Sequence, residues 1–220
     1  MMIIDMHVHT NQLSPCSKLS PEEAIHEAKQ KGLDGICFTE HDVMWDSEEI
    51  TYLREKYDFL VFKGIEITTN YGHILVYGLD DWSKHVYVQQ GFAPYFSFNE
   101  LKRIVERYGA FMVITHPFRE PGYIQGGYGG CQLTMSLEEV LYRPIFHMVD
   151  AVEGFNGQSY PEENNLSFLV AKALNLPALG GSDAHSGKEV GRGVTIFSQR
   201  FSQEAELLGA LKNGCFRSGE

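Results

Sequence analysis

Residues 1–11 read MMIIDMHVHTN. The apolar run at 3–6 is predicted to form a strand, and two histidines, His7 and His9, stand at its end with Asp5 before them at the same spacing. Side chains at i and i+2 of a strand face one side, so Asp5, His7 and His9 are expected to project together. Two imidazoles on one face can chelate one metal ion, and Asp5 can orient them from behind. The spacing returns in GSDAH (181–185), where Asp183 and His185 stand two apart.

Working outward, short apolar runs alternate with amphipathic stretches. Ser20, Pro21, Glu22 and Glu23 supply an N-cap, a proline at the first helical position and first-turn acids. That helix is predicted to run to about residue 31, with Gly32 as its stop. Strands are predicted at 35–38, 59–67, 73–77, 110–115, 149–155, 178–179 and 194–197. Helices are predicted at 47–56, 99–108 with Asn99 as cap, 137–142, 161–174 and 203–212. Strand-then-helix alternation points to parallel strands joined by crossovers, and 220 residues suit a single α/β barrel spanning 1–220. Residues 121–130, PGYIQGGYGG, are expected to be a loop over a site rather than a phosphate cradle, because no strand-turn-helix spacing surrounds them.

The polar residues gather where strands end. His7 and His9 follow the first strand; Glu40, His41 and Asp42 (TEHD) follow the second; Glu66 (GIEI) lies near the end of the third. His73 opens the fourth in GHILVYG, His116 ends the fifth in THPFR, Glu153 lies on the sixth in VEGFN, and Asp183 and His185 follow the seventh. A barrel of parallel strands brings those ends to one rim, where such folds carry their active sites. Histidine and carboxylate without cysteine suits Zn, Mn or Fe. With a bridging glutamate, so many ligands suffice for two ions roughly 3.5–4 Å apart, the arrangement used for phosphoester hydrolysis. Asp5, Glu40 and Asp42 are read as caps or supporting groups rather than direct ligands. Arg119 is placed to clamp a phosphate beside the cluster, with Arg192 a weaker candidate. His26, His85 and His147 are read as structural, and Trp45, Tyr95 and Tyr128 as packing or lid residues.

The formal net charge of −11 argues against a surface built for long nucleic acid. Four scattered cysteines with no C-x-x-C pair fit a reducing compartment. No signal peptide and no apolar run of about 18 residues is visible. A cytoplasmic protein without membrane contact is expected.

In this order, DMHVHT, TEHD, GIEI, GHILVYG, THPF and GSDAH resemble the PHP (polymerase and histidinol phosphatase) superfamily, from about residue 3 to residue 197. The resemblance implies a distorted (β/α)7 TIM-like barrel with two or three divalent ions at the C-terminal rim, acting on phosphoesters. It further implies that His7, His9, Glu66 and Asp183 hold a first metal. Glu66 would bridge to a second, completed by His73 and His116, while His41 and His185 would hold a third. Members with three metals usually offer an Asp or His shortly after the His-x-His-Thr segment. This chain has NQLSPCSK (11–18), in which Ser14 or Cys16 is a poor or different ligand. The third site is then weak, completed by substrate phosphate, or empty. The expected activity is hydrolysis of a small phosphomonoester, with His41 or His185 protonating the leaving oxygen when free of metal. The alternatives are a phosphodiesterase acting on nucleotide or single-stranded nucleic acid, and a non-catalytic metal-binding module.

Overall fold

The order of elements follows the alternation in the sequence. In the computed structural model, which describes residues 1–82, 88–90, 93–119 and 136–219, these are β1 (Met2–Val8), α1 (Pro21–Gln30), β2 (Gly35–Phe38), α2 (Ser47–Tyr57), β3 (Leu60–Thr69), β4 (Gly72–Tyr77), β5 (Val88–Gln90), β6 (Ala93–Tyr95), α3 (Phe98–Tyr108), β7 (Phe111–Ile114), α4 (Leu137–Leu141), β8 (Ala151–Asn156), α5 (Pro161–Leu174), β9 (Ala178–Gly181), β10 (Val194–Phe197), α6 (Glu204–Lys212) and β11 (Phe216–Gly219). Residues 121–130, with Tyr128, lie outside the described residues, as do His85 and Cys131.

Nine strands form one sheet in the order β11-β10-β1-β2-β3-β4-β7-β8-β9, with β5 and β6 pairing apart. Seven of them, β1 to β4 and β7 to β9, wrap into a nearly closed barrel. The ring draws shut where Val8 bridges Ala184, with hydrogen bonds from His9 N to Ala184 O (3.0 Å) and from Asp183 N to His7 O (2.7 Å). The β1–β2, β2–β3, β7–β8 and β8–β9 pairs are parallel, as a β/α alternation requires. The expected all-parallel ring fails at β4, which runs antiparallel to both β3 and β7. Only Asn70 and Tyr71 separate β3 from β4, too short a link for a parallel crossover. That reversal is why His73, at the start of its strand, reaches the same rim as residues at the ends of the others.

The helix signals hold with shifts of one or two residues. Ser20 Oγ accepts from Glu23 N (3.1 Å) and Asp46 Oδ1 from Glu48 N (2.7 Å), capping α1 and α2. Asn99 is not the cap of α3. The helix starts one residue earlier, and its first N–H, on Phe98, is taken by Asn70 Oδ1 at 2.9 Å from the β3–β4 turn. Gly109 ends α3 in the left-handed conformation, φ +63°. The strand β11, which extends the sheet beyond β10, has no counterpart in the sequence reading.

Inside the barrel, Met2, Ile4, Met6, Cys37, Phe62, Leu75, Tyr77, Phe111, Val113, Ala151 and Leu179 form a buried layer that packs on Leu207, Ala210 and Leu211 of α6. The outer faces pack against helices in two further clusters, one around α1 and α2 and one around α3 and α5. The inward period of two then carries each strand one or two steps past the apolar layer. Beyond Phe62 lies Glu66, before Leu75 lies His73, beyond Val113 lies Thr115, and beyond Ala151 lies Glu153. Polar groups therefore cap the apolar layer at one end.

Candidate metal centre

Strand β1 brings His7 and His9 into this layer by a break in register. Ile4 pairs with Gly35 and Asp5 with Ile36, but Val8 pairs with Phe38, so three steps on β1 match two on β2. This is a bulge. Met2, Ile4 and Met6 face inward, and after the bulge so do His7 and His9, leaving Asp5 on the opposite side. Asp5 therefore does not project with the histidines. Its carboxylate accepts from Ser182 N (2.9 Å) and Gly191 N (2.8 Å), tying β1 to the segments after β9. Burial raises its pKa to about 6.

The group that orients His7 is Glu153. Its Oε1 lies 2.8 Å from His7 Nδ1, while Oε2 accepts from Thr115 Oγ1 (2.6 Å), His116 N (2.7 Å) and Asn156 Nδ2 (2.9 Å). A carboxylate at that distance fixes the proton on Nδ1 and turns the Nε2 lone pair toward the cluster. Thr115 and Asn156 carried no signal in the sequence, because their partner is 38 or 3 residues away and known only once β7 and β8 are neighbours. Gly181 makes room: a Cβ there would stand 2.4 Å from His7 Cβ. Replacing Glu153 by glutamine is expected to weaken metal binding by about 10- to 100-fold while leaving the fold intact, as read by metal titration and circular dichroism.

Glu66, fully buried, is the hub. Its Oε1 is 3.0 Å from His116 Nε2, 3.2 Å from His73 Nδ1 and 3.5 Å from His7 Nε2. Its Oε2 is 2.9 Å from His41 Nδ1 and 3.3 Å from His9 Nε2. Across from it, Asp183 Oδ1 is 3.2 Å from His9 Nε2 and 3.6 Å from His7 Nε2. The two Nε2 atoms of His7 and His9 are 3.0 Å apart. His185 Nδ1 meets Asp183 O at 2.9 Å, so the proton sits there and Nε2 carries the lone pair. All eight residues proposed from the sequence as ligands thus gather in one cluster. His116 and Asp183 hold their places in left-handed backbone, φ +30° and +54°, a strain that the surrounding contacts maintain.

The electrostatics match that arrangement. Burial opposes the charge on Glu66, yet His73, His7 and His41 hold its carboxyl well below the usual range. Burial likewise opposes charge on Asp183, and His7, His9 and Arg119 overcome it. Burial favours neutral His7, but Asp183, Glu153 and Glu66 raise it well above an ordinary imidazole. His41 is pushed up to about 11, burial being outweighed chiefly by Glu66. Burial lowers His116, aided by Arg119, and burial also lowers His185, aided by His9.

Two buried atoms of the cluster, Glu66 Oε2 and His73 Nδ1, have no hydrogen-bond partner among the described residues. Buried polar atoms without partners are costly. Here they face further nitrogen and oxygen donors, so this donor set fits divalent cations. Three groupings bring one ligand atom per residue within 4.8 Å of one another: His7, His9 and Glu66; His41, Glu66 and His73; His9, His41 and His185.

The supporting residues separate clearly. Glu40 accepts from Thr10 N (2.9 Å) and Trp45 Nε1 (2.8 Å), and Asp42 from Thr68 N (2.7 Å), so both brace the rim as expected. Trp45 is buried packing. Arg119 reaches Asp183 Oδ2 at 2.6 Å and also bonds Asn156 Oδ1, placing a guanidinium against the cluster. Arg192 instead is exposed and lines a groove with Asn164 and Phe168. His26 and His147 bond Gln30 and Leu141 O outside the cluster.

A family model described as the PHP domain matches residues 5–129, more than half of the chain. The chain belongs to the PHP family. A second model, described as PHP-associated, matches residues 161–215 of this PHP chain. Both matched segments supply strands to the same sheet. Similar solved structures include a two-domain protein from Bacteroides vulgatus whose description names a predicted PHP-like metal-dependent phosphoesterase. Its TM-score is 0.67 at 22% identity, covering 99% of this chain and 64% of that one. This PHP chain thus spans about two thirds of that protein's length. PsfC from Pseudomonas syringae has a TM-score of 0.63 at 19% identity, covering 99% of this chain and 90% of that one. A protein from Bifidobacterium adolescentis, named for a metal-dependent phosphoesterase, has a TM-score of 0.63 at 16% identity, covering 94% of this chain and 96% of that one. These likenesses establish the fold. The search of curated proteins returns no match. Among the described residues no helix is long and apolar enough to cross a membrane.

Proposed function

We propose that this PHP chain hydrolyses a small phosphomonoester at a centre of two or three divalent ions, Zn, Mn or Fe. The observation that carries the reading is that the Nε2 atoms of His7 and His9, 3.0 Å apart, each stand within 3.2–3.6 Å of a carboxylate oxygen of Glu66 and of Asp183, beside a guanidinium. His7, His9, Glu66 and Asp183 would hold one ion, and Glu66, His73 and His116 a second; His41 and His185 stand on the open side for a third. Ions bound there supply Lewis acidity toward a phosphoryl oxygen and lower the pKa of water.

The chain's own residues do the rest. Arg119 Nε is buried without a hydrogen-bond partner among the described residues, leaving an N–H donor for a phosphoryl oxygen while the other nitrogens stay on Asp183 and Asn156. His41 and His185 divide the proton work. His41, raised to about 11, carries a proton that it can give to the leaving oxygen whenever it is not a ligand. His185, with a bare Nε2, suits a ligand or acceptor better than the donor role open to it in the sequence.

The test is phosphate release with added Mn²⁺ and after chelation, across a panel of phosphomonoesters and one phosphodiester. Chelator-sensitive release from a monoester is expected. Release from the diester alone would replace this reading with a phosphodiesterase. No release from metal-loaded protein would favour a binding module.

A further inference from the structure

The segment after β1 folds back over the open side of the cluster. Ser14 N donates to Thr10 O (2.9 Å) and Ser17 N to Ser14 O (3.0 Å), closing a turn whose exposed tip is Pro15-Cys16. Its contacts go to the three histidines that form the outer grouping. Ser14 Oγ accepts from His41 N (3.1 Å) and lies 3.5 Å from His9 Nδ1. Ser17 Oγ donates to His9 O (2.9 Å), and Lys18 N donates to His185 O (3.0 Å). The turn is therefore pinned on both sides of His9, His41 and His185, which offer one ligand atom each within 4.8 Å. The Cys16 side chain lies against the His41 imidazole. The ring of His9 is 4.2 Å from that of His41 and 4.6 Å from that of His185, centroid to centroid. Next to His41 Nδ1, Glu66 Oε2 is fully buried and without a hydrogen-bond partner among the described residues, which points to an ion on this side as well.

We infer that the Cys16 thiolate is a ligand of the outer ion, completing with His41 and His185 a site for a thiophilic divalent cation such as Zn²⁺. One thiolate and two imidazoles form an open tetrahedral zinc site with a position left for a further ligand. Ser14, bonded to His41 N and facing His9, supports the turn and is not itself the donor. Sulfur softens the site, so Zn²⁺ is preferred there over Mn²⁺ or Mg²⁺. Binding releases the thiol proton to solvent, and with the ion in place His41 serves as a ligand and no longer carries a proton. The inference deepens the proposed metal centre and rests on it.

The test uses the whole chain with metal alone and needs no substrate. Cobalt-loaded protein is expected to show a near-ultraviolet thiolate-to-cobalt band, absent in Cys16→Ser, and the variant is expected to hold one ion fewer per chain. Zn²⁺ is expected to slow alkylation of Cys16 by about tenfold or more, while Cys215, also exposed, reacts unchanged as internal control. Cys16→Asp is expected to restore the ion count without the band and to shift preference toward Mn²⁺. Equal ion counts in the wild type and Cys16→Ser, with no band and no protection, would overturn the inference and leave the inner centre standing. A chain that holds no ion at all would overturn the metal centre and this inference together.

Discussion

Glu66→Gln is expected to reduce phosphate release by roughly 10³-fold or more, about 4 kcal/mol of barrier. Glutamine keeps the shape of the side chain and loses the negative charge that five imidazoles share. His7, His9, His41, His73 and His116 all stand within 3.5 Å of that carboxylate. No other residue of the cluster touches so many candidate ligands, so no second carboxylate can take over the bridge. Metal content measured alongside turnover is expected to fall, with far-ultraviolet circular dichroism unchanged. The His41 proton offers a second readout. Glu66 is the main group that raises it to about 11, so in the variant it is expected to titrate back toward the ordinary imidazole range of about 6.5. Glu40→Gln is the control. That carboxylate is equally buried on the neighbouring strand end, yet it bonds Thr10 and Trp45. Its substitution is expected to leave metal content unchanged. Full activity in Glu66→Gln would reject the bridging arrangement.

Chelation is expected to lower the melting temperature by about 5–10 °C at ion concentrations near 100 Kd, since ligand bound only to the folded state adds about 2.7 kcal/mol there. The gap should depend on pH in a stated direction. In the chelated chain, His7 and His41 have folded pKa values above the unfolded imidazole. Their stabilisation is complete below about pH 6.5 and is lost as pH rises toward the folded values. Glu66, Asp183 and Glu153 have lowered values, so their stabilisation is present above about pH 4.5 and is lost as pH falls below it. Through these five groups the chelated chain is most stable between those limits and loses stability from about pH 6.5 to pH 9, while the lowered His116 and His185 act in the opposite sense. The loaded chain behaves in the opposite sense over that range, because imidazoles must shed protons to bind an ion. Melting curves at about pH 6 and pH 9, with and without chelator, should show the gap widening with pH. A gap that narrows would mean that the cluster does not bind through these imidazoles.

The two expectations bear on one physical point, that the cluster is a set of charged and polar groups gathered at strand ends. Where a strand ends is a local property, and so it was legible; parity failed on β1, where the bulge intervenes. A strand that alternates apolar residues inward continues inward beyond its last apolar one, and GIEI and VEGFN carry Glu66 and Glu153 on that face, whereas His116 of THPFR follows the inward Thr115 and reaches the cluster through its left-handed backbone. The helix start at Ser20 and the stop at Gly109 are local too, since cap and capped group lie within a few residues. The chain by itself thus determined the β/α alternation and the strand-end positions of the eight residues that the fold brings together.

What the chain could not determine depends on neighbours far along it. The bulge that turns His7 inward and leaves Asp5 outward exists only against the β2 register, some 30 residues away. Glu153 becomes the partner of His7 across 146 residues, and Asn70, not Asn99, takes the first N–H of α3 across 28. The reversal of β4 follows from the two-residue link at Asn70-Tyr71, yet only its pairing with β7 sets His73 beside His116. Cys16 stood in the sequence as a departure from a pattern. The folded turn, pinned to His9, His41 and His185 by Ser14, Ser17 and Lys18, sets it beside His41, because hydrogen bonds across 8 to 168 residues hold the turn there.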